Sequence, residues 1–419
     1  MRGVVLLALT GALCAEAPPD STQVLTHARD SLAARGSRLP NYTCVQTVDR
    51  SYLRRAIQPQ PVPSCGEMHE QRESGAYVPQ IYLTDRLRLD VKVSAGQEIG
   101  SWAGASQFES QSIFELVDTG PFGTGLLGTL LNDIFTTGGA RFEYQGEKST
   151  GGTTLYEYRF QVPLKASHYQ VQVGRGWRAI AYEGEVQIDP RSFDLRHLLI
   201  RTSEMPPEGG ACETATSVDY ARVRIGAGDF LLPQQSKLHI LMTDTYESDT
   251  TTEYAGCREY HSDATIHFDD AAPAAEGHKA EAAAPRPLPE GLPLVLALAA
   301  PIDTNTAAAG DVVLEKLRKA VRGPGSKDVL IPAGATVRGR IIRMRHWLDS
   351  PQRFEIAMRM ETWEAGGSSL PLPAKPAHSE LGQPAALGRF VFTTTRDRYV
   401  VPRGYETKWV TVGAAGAKP

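Results

Sequence analysis

The chain has 419 residues, of which 41% are hydrophobic, and 44 basic and 48 acidic side chains give it a net charge of −4. This length is enough for two or three domains with at least one sizeable core. Lysine and arginine are scattered rather than clustered, so the charge gives no general attraction to nucleic acid or to an anionic membrane. No nucleic-acid partner is therefore predicted.

The N-terminal segment predicts a secretory signal peptide over residues 1–17. One arginine precedes a short apolar run that ends at Leu13, and small residues follow, with cleavage expected after Ala15 or Ala17. Lipidation of Cys14 is an alternative, although Leu13 stands where a lipidation motif has a small residue. No stretch of the chain is long and apolar enough to predict a transmembrane span. We therefore expect an exported protein, periplasmic or associated with the outer envelope.

Four cysteines remain after the signal peptide: Cys44, Cys65, Cys212 and Cys257. An even number in an oxidising compartment favours two disulfides. Three connectivities are possible, and the sequence cannot decide between them. Local pairing of Cys44 with Cys65 and of Cys212 with Cys257 is preferred, because each pair falls within one strand-rich block. No pair has the Cys-x-x-Cys spacing that would favour a metal site.

The first predicted element after the signal is an amphipathic helix with the sequence DSTQVLTHARDSLAARG. Its apolar residues Val24, Leu25, Ala28 and Leu32 share one face, and Gly36 stands where a helix C-cap belongs. From Asn41 onward the apolar period changes to two, in segments such as IYLTDRLRLDVKVS, TLYEYRFQVPL and TSVDYARVRIG. The alternation predicts a many-stranded antiparallel sheet with one face on a core and the other in water.

One glycine-rich segment, GPFGTGLLGTLLNDIF, interrupts these strands at residues 120–135. It spells G-x-G-x-x-G, but no lysine follows and no alternating strand-helix pattern surrounds it, so no nucleotide site is predicted. Its apolar spacing instead predicts a helix over 122–135 with two adjacent apolar rows. The rows consist of Phe122, Leu126, Leu130 and Ile134, and of Leu127, Leu131 and Phe135.

Such a helix is the best candidate to cover the concave apolar face of an open sheet. Two interpretations remain open: a permanent core plug, or a mobile lid over a lipid-sized cavity. The lid interpretation makes all seven apolar residues of the helix candidates for ligand binding.

A change in composition marks the end of the first domain. Residues 271–287 are rich in Ala and Pro and predict a linker between domains. Beyond it, residues 288–412 carry the recurring turns LPEG, IPAG and VPRG between apolar-rich strands, which predicts a small β-barrel or sandwich. Residues 413–419 are expected to form a disordered tail.

The order of these elements resembles a known family. The N-terminal helix, the strands, the inserted helix and the closing segments GEVQIDPRSFDLRHLLIRTSE and TSVDYARVRIGAGDFLLPQQSKLHI look like the LolA-like half-barrel of lipoprotein carriers. The blocks LPNYTC and CREY are similar to those of uncharacterised secreted bacterial proteins. The resemblance implies a half-barrel over residues 18–270 whose concave face holds acyl chains. The segment VLIPAGATVRGRI is similar to TrbI-like barrels of secretion channels, which implies an envelope protein partner for the C-terminal domain.

No catalytic signature is present: the chain lacks G-x-S-x-G and H-E-x-x-H, and no cysteine has a matched histidine context. In HSDATIHFDD, two histidines and two aspartates share one strand face, and such a face is more often the solvated side of a strand than a metal site. We therefore predict no enzyme, no cofactor and no metal. A hydrolase acting through an unrecognised carboxylate site is the last-ranked alternative.

The predicted fold is mainly β: an N-terminal open antiparallel β half-barrel with an N-terminal helix and an inserted lid or plug helix, plus a smaller C-terminal β-barrel or sandwich. The predicted function is that of an exported, non-catalytic envelope protein whose half-barrel binds a hydrophobic ligand such as a lipid or acyl chain. The competing prediction is a structural or adhesive envelope module that binds no small ligand and contacts protein through its second domain.

Overall fold

The computed structural model of the protein describes residues 19–36, 39–94, 97–105, 108, 113–117, 120–123, 129–174, 176–202, 204–260, 288–365, 367–377 and 387–413. The predicted signal peptide with Cys14, the predicted linker, the HSDATIHFDD segment and residues 414–419 lie outside these ranges.

The described part of the chain up to residue 260 contains four helices and twelve strands. The helices are Ser21–Gly36 (α1), Cys65–Glu73 (α2), Ile113–Leu116 (α3) and Thr129–Phe135 (α4), with 3₁₀ turns at Leu164–Ala166 and Pro207–Gly209. The strands are Tyr42–Arg54 (β1), Gln80–Ser94 (β2), Gln97–Trp102 (β3), Arg141–Thr150 (β4), Thr153–Val162 (β5), Gln170–Val173 (β6), Gly176–Ala179 (β7), Tyr182–Ile188 (β8), Leu195–Thr202 (β9), Ala211–Ile225 (β10), Gly228–Met242 (β11) and Glu247–Glu259 (β12).

Antiparallel pairing places these strands in the spatial order β4-β5-β8-β9-β10-β11-β12-β1-β2-β3, and β6 and β7 form a separate hairpin. Burial alternates along β2 and β10 with the period of two that the sequence predicts. The predicted fold class is confirmed: the protein is mainly β, with an N-terminal helix and a large antiparallel sheet.

The helix α1 lies on the N-terminal core. Val24 and Ala28 are fully buried in the same apolar cluster as Ile134 of α4. The hydroxyl of Tyr158 donates to the carbonyl oxygen of Ser21 at 2.7 Å, which fixes the start of the helix on β5. The predicted apolar face of α1 is therefore the one that packs.

The preferred disulfide pairing is wrong. Cys44 is bonded to Cys257, and Cys65 is bonded to Cys212. The first bond joins neighbouring strands, because β1 pairs along its length with β12 and their ends meet at these cysteines. The second bond ties α2 to β10, where Met68 packs against Cys212 and Leu241. Sequence proximity was misleading because sheet pairing brings distant segments together.

The described residues from 288 onward form twelve further strands. They are Pro293–Leu298 (β13), Ile302–Asp303 (β14), Val312–Leu317 (β15), Val321–Arg322 (β16), Val329–Ile331 (β17), Thr336–Trp347 (β18), Gln352–Ala365 (β19), Ser368–Pro371 (β20), Ala374–Pro376 (β21), Gly388–Thr394 (β22), Val400–Val401 (β23) and Glu406–Thr411 (β24). They surround one apolar core that includes Leu294, Leu296, Met358 and Trp409.

The two parts of the chain share one continuous sheet. β18 pairs with β2, so that Trp347 lies opposite Leu83 and Arg345 lies opposite Asp85. An ion pair between Arg54 and Asp349, with 2.6 Å between Nη2 and Oδ1, extends this junction. The predicted division into domains at residues 271–287 stays a prediction, and the described strands on its two sides are joined by backbone hydrogen bonds.

Candidate functional site

A cavity of about 1030 Å³ lies against the N-terminal sheet. Its floor is formed by β1, β2, β10, β11 and β12, and the residues of these strands that line it are Tyr52, Tyr82, Ala211, Thr214, Thr216, Leu238, Ile240, Met242, Glu247 and Ser248. Its other walls come from the 120–123 segment, α4, the residues before β6, the β6–β7 hairpin and the turns at one end of the sheet. The wall residues are Phe122, Leu130, Asp133, His168, Tyr169, Trp177, Met205, Asp244 and Tyr246. The volume lies at the upper end of the range for small-ligand sites, about 300–1,000 Å³.

The apolar part of the floor comes from alternate residues of β11: Leu238, Ile240 and Met242. Alternate residues of a strand point to the same face, so the three form one row. Each is only half-buried, which leaves apolar surface facing the cavity. Leu241, on the opposite face of the strand, is fully buried under α2.

Hydroxyl groups flank this row on both sides. Thr214 of β10 and Ser248 of β12 lie directly opposite Ile240. Leu238 is flanked in the same way by Thr216 and by Thr250 of β12. The floor therefore alternates between hydrocarbon and hydroxyl across neighbouring strands.

Tyr169 closes one end of the cavity over β10. Burial raises the pKa of its hydroxyl, and hydrogen bonds to Thr216 and Thr214 offset only part of the rise. The phenol is therefore neutral at physiological pH and available as a hydrogen-bond donor and acceptor.

The helix α4 is fixed in place by a buried carboxylate. Asp133 is 5% exposed. Its two oxygens lie 2.6 Å from Nδ1 of His168 and 2.7 Å from the hydroxyl of Tyr182. Burial and the hydrogen bond to Asp133 raise the pKa of Tyr182 well above its usual range. Ile134 is also fully buried in the core, and Leu130 of the same helix lines the cavity.

The 120–123 segment lies against a buried ion pair. Arg50 donates to Asp85 through Nε at 2.6 Å and through Nη2 at 2.7 Å. Gly120 has a φ of 92° and stands so close to the Tyr52 hydroxyl and the Arg50 guanidinium that a Cβ there would overlap both. Only glycine combines this φ with this close approach. The segment is thereby held at the edge of the cavity.

The structure places the predicted site residues in two environments. Phe122 and Leu130 line the cavity. Ile134 and Phe135 are buried in the core, and Leu131 packs against that core. Leu126 and Leu127 lie outside the described residues.

The predicted helix over 122–135 is wrong at its start, since residues 120–123 are not helical and α4 spans Thr129–Phe135. The apolar spacing begins at Phe122, but Gly120 and Gly123 weaken helix formation at this point of the chain. Phe122 therefore reaches the cavity from an irregular segment.

The most regular part of the lining is the row Leu238, Ile240 and Met242, which was not predicted as a site from the sequence. The signal was present as the alternation in KLHILM. It was read only as a strand, because the same alternation describes a strand that packs on a filled core and one that faces a cavity.

In the described ranges, no group of three or more His, Cys, Asp or Glu side chains could hold a metal ion. Among these same residues, no helix is both long and apolar enough to cross a membrane.

No family model matches the sequence, and no curated protein matches it. Several solved structures are similar to more than half of the chain. A LolA superfamily protein from Nitrosomonas europaea has 10% identity and a TM-score of 0.25, with 58% of this chain and 95% of that chain covered. A putative outer membrane lipoprotein-sorting protein domain from Vibrio parahaemolyticus has 10% identity and a TM-score of 0.29, with 60% and 97% covered. The lipoprotein LppX from Mycobacterium tuberculosis has 9% identity and a TM-score of 0.20, with 56% and 95% covered. The function proposed below rests on the cavity itself.

Proposed function

We propose that the cavity binds the hydrocarbon part of a lipid or acyl chain, and that the protein is an exported, non-catalytic protein of the bacterial envelope. The observation that carries this proposal is the cavity of about 1030 Å³ floored by the apolar row of β11. A ligand that buries roughly 300 Å² of hydrocarbon gains about 7 kcal/mol at about 25 cal/mol per Å². Two disulfides support an oxidising compartment.

The flanking hydroxyls give the site its second property. Thr214, Thr216 and Tyr169 stand beside the apolar row and can hydrogen-bond the polar end of an amphiphile. A small number of placed polar groups in an apolar pocket fixes the orientation of a ligand. The ligand class is therefore an amphiphile with one hydrocarbon chain and a hydrogen-bonding head.

A second candidate is a structural envelope module that carries no small ligand. It is favoured by the burial of Ile134 and Phe135, since a permanent plug must form part of the core. In this candidate, the C-terminal part contacts a protein partner. The two candidates differ in whether the cavity takes up hydrocarbon.

The test is binding of a fluorescent fatty acid, together with native mass spectrometry of the mature protein. We expect saturable binding near one equivalent. Ile240→Asp places a charge on the apolar floor and should weaken binding at least about tenfold. The matched control is Leu314→Asp, because Leu314 is exposed on β15. This variant should bind the fatty acid as tightly as the wild type does. Wild-type protein that purifies without ligand and binds no fatty acid would contradict the proposal.

A further inference from the structure

Exposed apolar side chains are concentrated at one end of the N-terminal sheet. Five of the eleven large apolar side chains that the described residues expose most lie there: Ile57, Val62, Val78, Ile81 and Trp177. Ile57 is 85% exposed and Val78 is 81% exposed, so neither contributes to the core. At this end β1 and β11 finish and β2, β10 and β12 begin. We call the loops that carry these side chains, together with the turns between them, the rim.

Direct contacts connect the loops of the rim on one side. The guanidinium of Arg55 lies over the ring of Tyr77, 3.7 Å from its centroid, and so joins the loop of Ile57 to the loop of Val78. The hydroxyl of Tyr77 donates to the Glu247 carboxylate at 2.5 Å. These contacts hold Val78 beside the start of β12, where Glu247 lines the cavity.

Further contacts continue the rim to the β6–β7 hairpin. The Thr245 hydroxyl donates to the side chain of Gln58, which ties the Ile57 loop to the turn between β11 and β12. In the same turn, Thr243 donates its backbone N–H to the carbonyl of Gly210 at 2.9 Å. Glu208, nearby, pairs with Arg178 at 3.3 Å, next to Trp177. Ile57, Val78 and Trp177 thus stand on one connected edge.

This connected edge also borders the cavity. Met242, Asp244 and Tyr246 of the β11–β12 turn line the cavity, as does Trp177 of the hairpin. A ligand that enters between the turn and the hairpin therefore passes the exposed apolar side chains.

The two loops of the rim that carry Ile57 and Val78 have little free charge, whereas the β11–β12 turn carries Asp244. The segments RRAIQPQPVPS and SGAYVPQI contain two arginines and no carboxylate. Arg54 is paired with Asp349, and Arg55 is stacked on Tyr77. Nothing on these loops therefore attracts anionic headgroups strongly, in agreement with the scattered charge of the whole chain. A surface of this kind suits the interface of a zwitterionic bilayer.

We propose that the rim docks on a lipid bilayer, with Ile57 and Val78 entering the interfacial region and Trp177 at the level of the headgroups. Protruding aliphatic side chains gain free energy when hydrocarbon covers them, and tryptophan favours the membrane interface. The inference rests on the proposed function, because it supplies the surface from which the cavity takes its ligand. Single loop residues that project this far suit insertion between lipids better than packing against a protein surface.

The experiment is flotation of the mature full-length protein with phosphatidylcholine vesicles. We expect the wild type to float with them. The double variant Ile57→Asp, Val78→Asp should lower the partition coefficient at least about tenfold, because two inserted aliphatic groups become charged. The matched control is Leu314→Asp, Val391→Asp, which changes two exposed side chains of the C-terminal part and should float like the wild type.

Binding of the soluble fluorescent fatty acid separates this inference from the proposed function. The rim double variant should bind the fatty acid as the wild type does, which also shows that it is folded. Rim-dependent flotation by a protein that binds no fatty acid would support docking and remove the cavity proposal. Flotation of the rim variant equal to that of the wild type, or a wild type that stays with the soluble fraction, would overturn the inference.

Discussion

The cavity-lining part of the N-terminal sheet and the core of the C-terminal part have the same alternation of apolar and polar residues, yet the cavity-lining part is not filled. In the C-terminal core, Leu294, Leu296 and Trp409 are 0–1% exposed. In the N-terminal sheet, Leu238, Ile240 and Met242 occupy the equivalent inward positions of β11 and are only half-buried. Alternation defines which face points inward, and it does not determine how completely that face is covered.

The difference follows from the neighbours of each row. In the C-terminal part, Leu296 is opposite Leu317 on one side and Thr407 on the other, and Trp409 fills the space near them. In β11, Leu238 and Ile240 each stand between two hydroxyl-bearing residues that do not complete an apolar layer, and Met242 lies opposite Ala211. Small or polar neighbours on both sides of the row therefore leave the β11 face open.

The largest expected effect tests whether the C-terminal core is filled. Trp409→Ala should lower the free energy of unfolding by about 3–5 kcal/mol, because it removes the largest fully buried side chain and leaves a void. The matched change in the other region is Trp177→Ala, where the ring is 49% exposed, and its cost should stay below about 0.5 kcal/mol. Urea denaturation measures the loss of unfolding free energy in each variant. Equal losses in Trp409→Ala and Trp177→Ala would contradict the contrast between the two regions.

A carboxyl group inside the filled core should make the stability of the protein depend on pH. Glu315 is fully buried, and its carboxylate accepts hydrogen bonds from the Thr407 hydroxyl at 3.0 and 3.1 Å. Burial raises the pKa of Glu315 from 4.5 to about 7. The folded chain therefore holds this proton more tightly than the unfolded chain does. The stability that proton binding by Glu315 adds to the folded state is fully present below pH 4.5 and is lost as the pH rises to about 7.

Glu315→Gln should abolish this dependence, because glutamine cannot ionise. At pH 8 the variant should be more stable than the wild type by up to about 3 kcal/mol, which corresponds to the shift in pKa. Denaturation curves at a series of pH values measure the slope. The exposed Glu364→Gln on β19 is the control and should keep the slope of the wild type. A wild type with no such slope would show that Glu315 stays charged in the folded chain.

A further expected effect concerns the strand that floors the cavity. Ile240→Ala should cost below about 1 kcal/mol, because a half-buried side chain beside an existing cavity leaves little new void. Leu296→Ala in the C-terminal core should cost about 2–5 kcal/mol. Thermal or urea unfolding compares the two variants. A cost for Ile240 as large as that for Leu296 would indicate that β11 packs as a core strand.

The sequence was sufficient to predict the fold class, because burial follows the period of the apolar residues in β2 and β10. It was not sufficient to pair the cysteines. Cys44 meets Cys257 only because β1 lies beside β12, and this neighbour relation is a property of the whole sheet. Alternation within one strand carries no information about which strand lies next to it.

The candidate site could be predicted only in part, for a related reason. Leu130 was found because helical spacing marks its inward face, and it does line the cavity. Asp133 was missed, because a lone aspartate gains its role only from the distant His168 and Tyr182. A cavity is defined by the space between elements, and that space is set by tertiary packing.

The pairing of β18 with β2 has a consequence for the order of assembly. Trp347 and Leu83 come from opposite parts of the chain, and the N–H of Leu348 donates to the carbonyl of Tyr82 at 2.9 Å. Contacts between such distant segments close late in folding. In a chain that is translocated from its N-terminus, this part of β2 lacks its β18 neighbour until β18 has also been translocated. The strand that carries Tyr82 into the cavity wall is therefore fully paired only after most of the chain has been translocated.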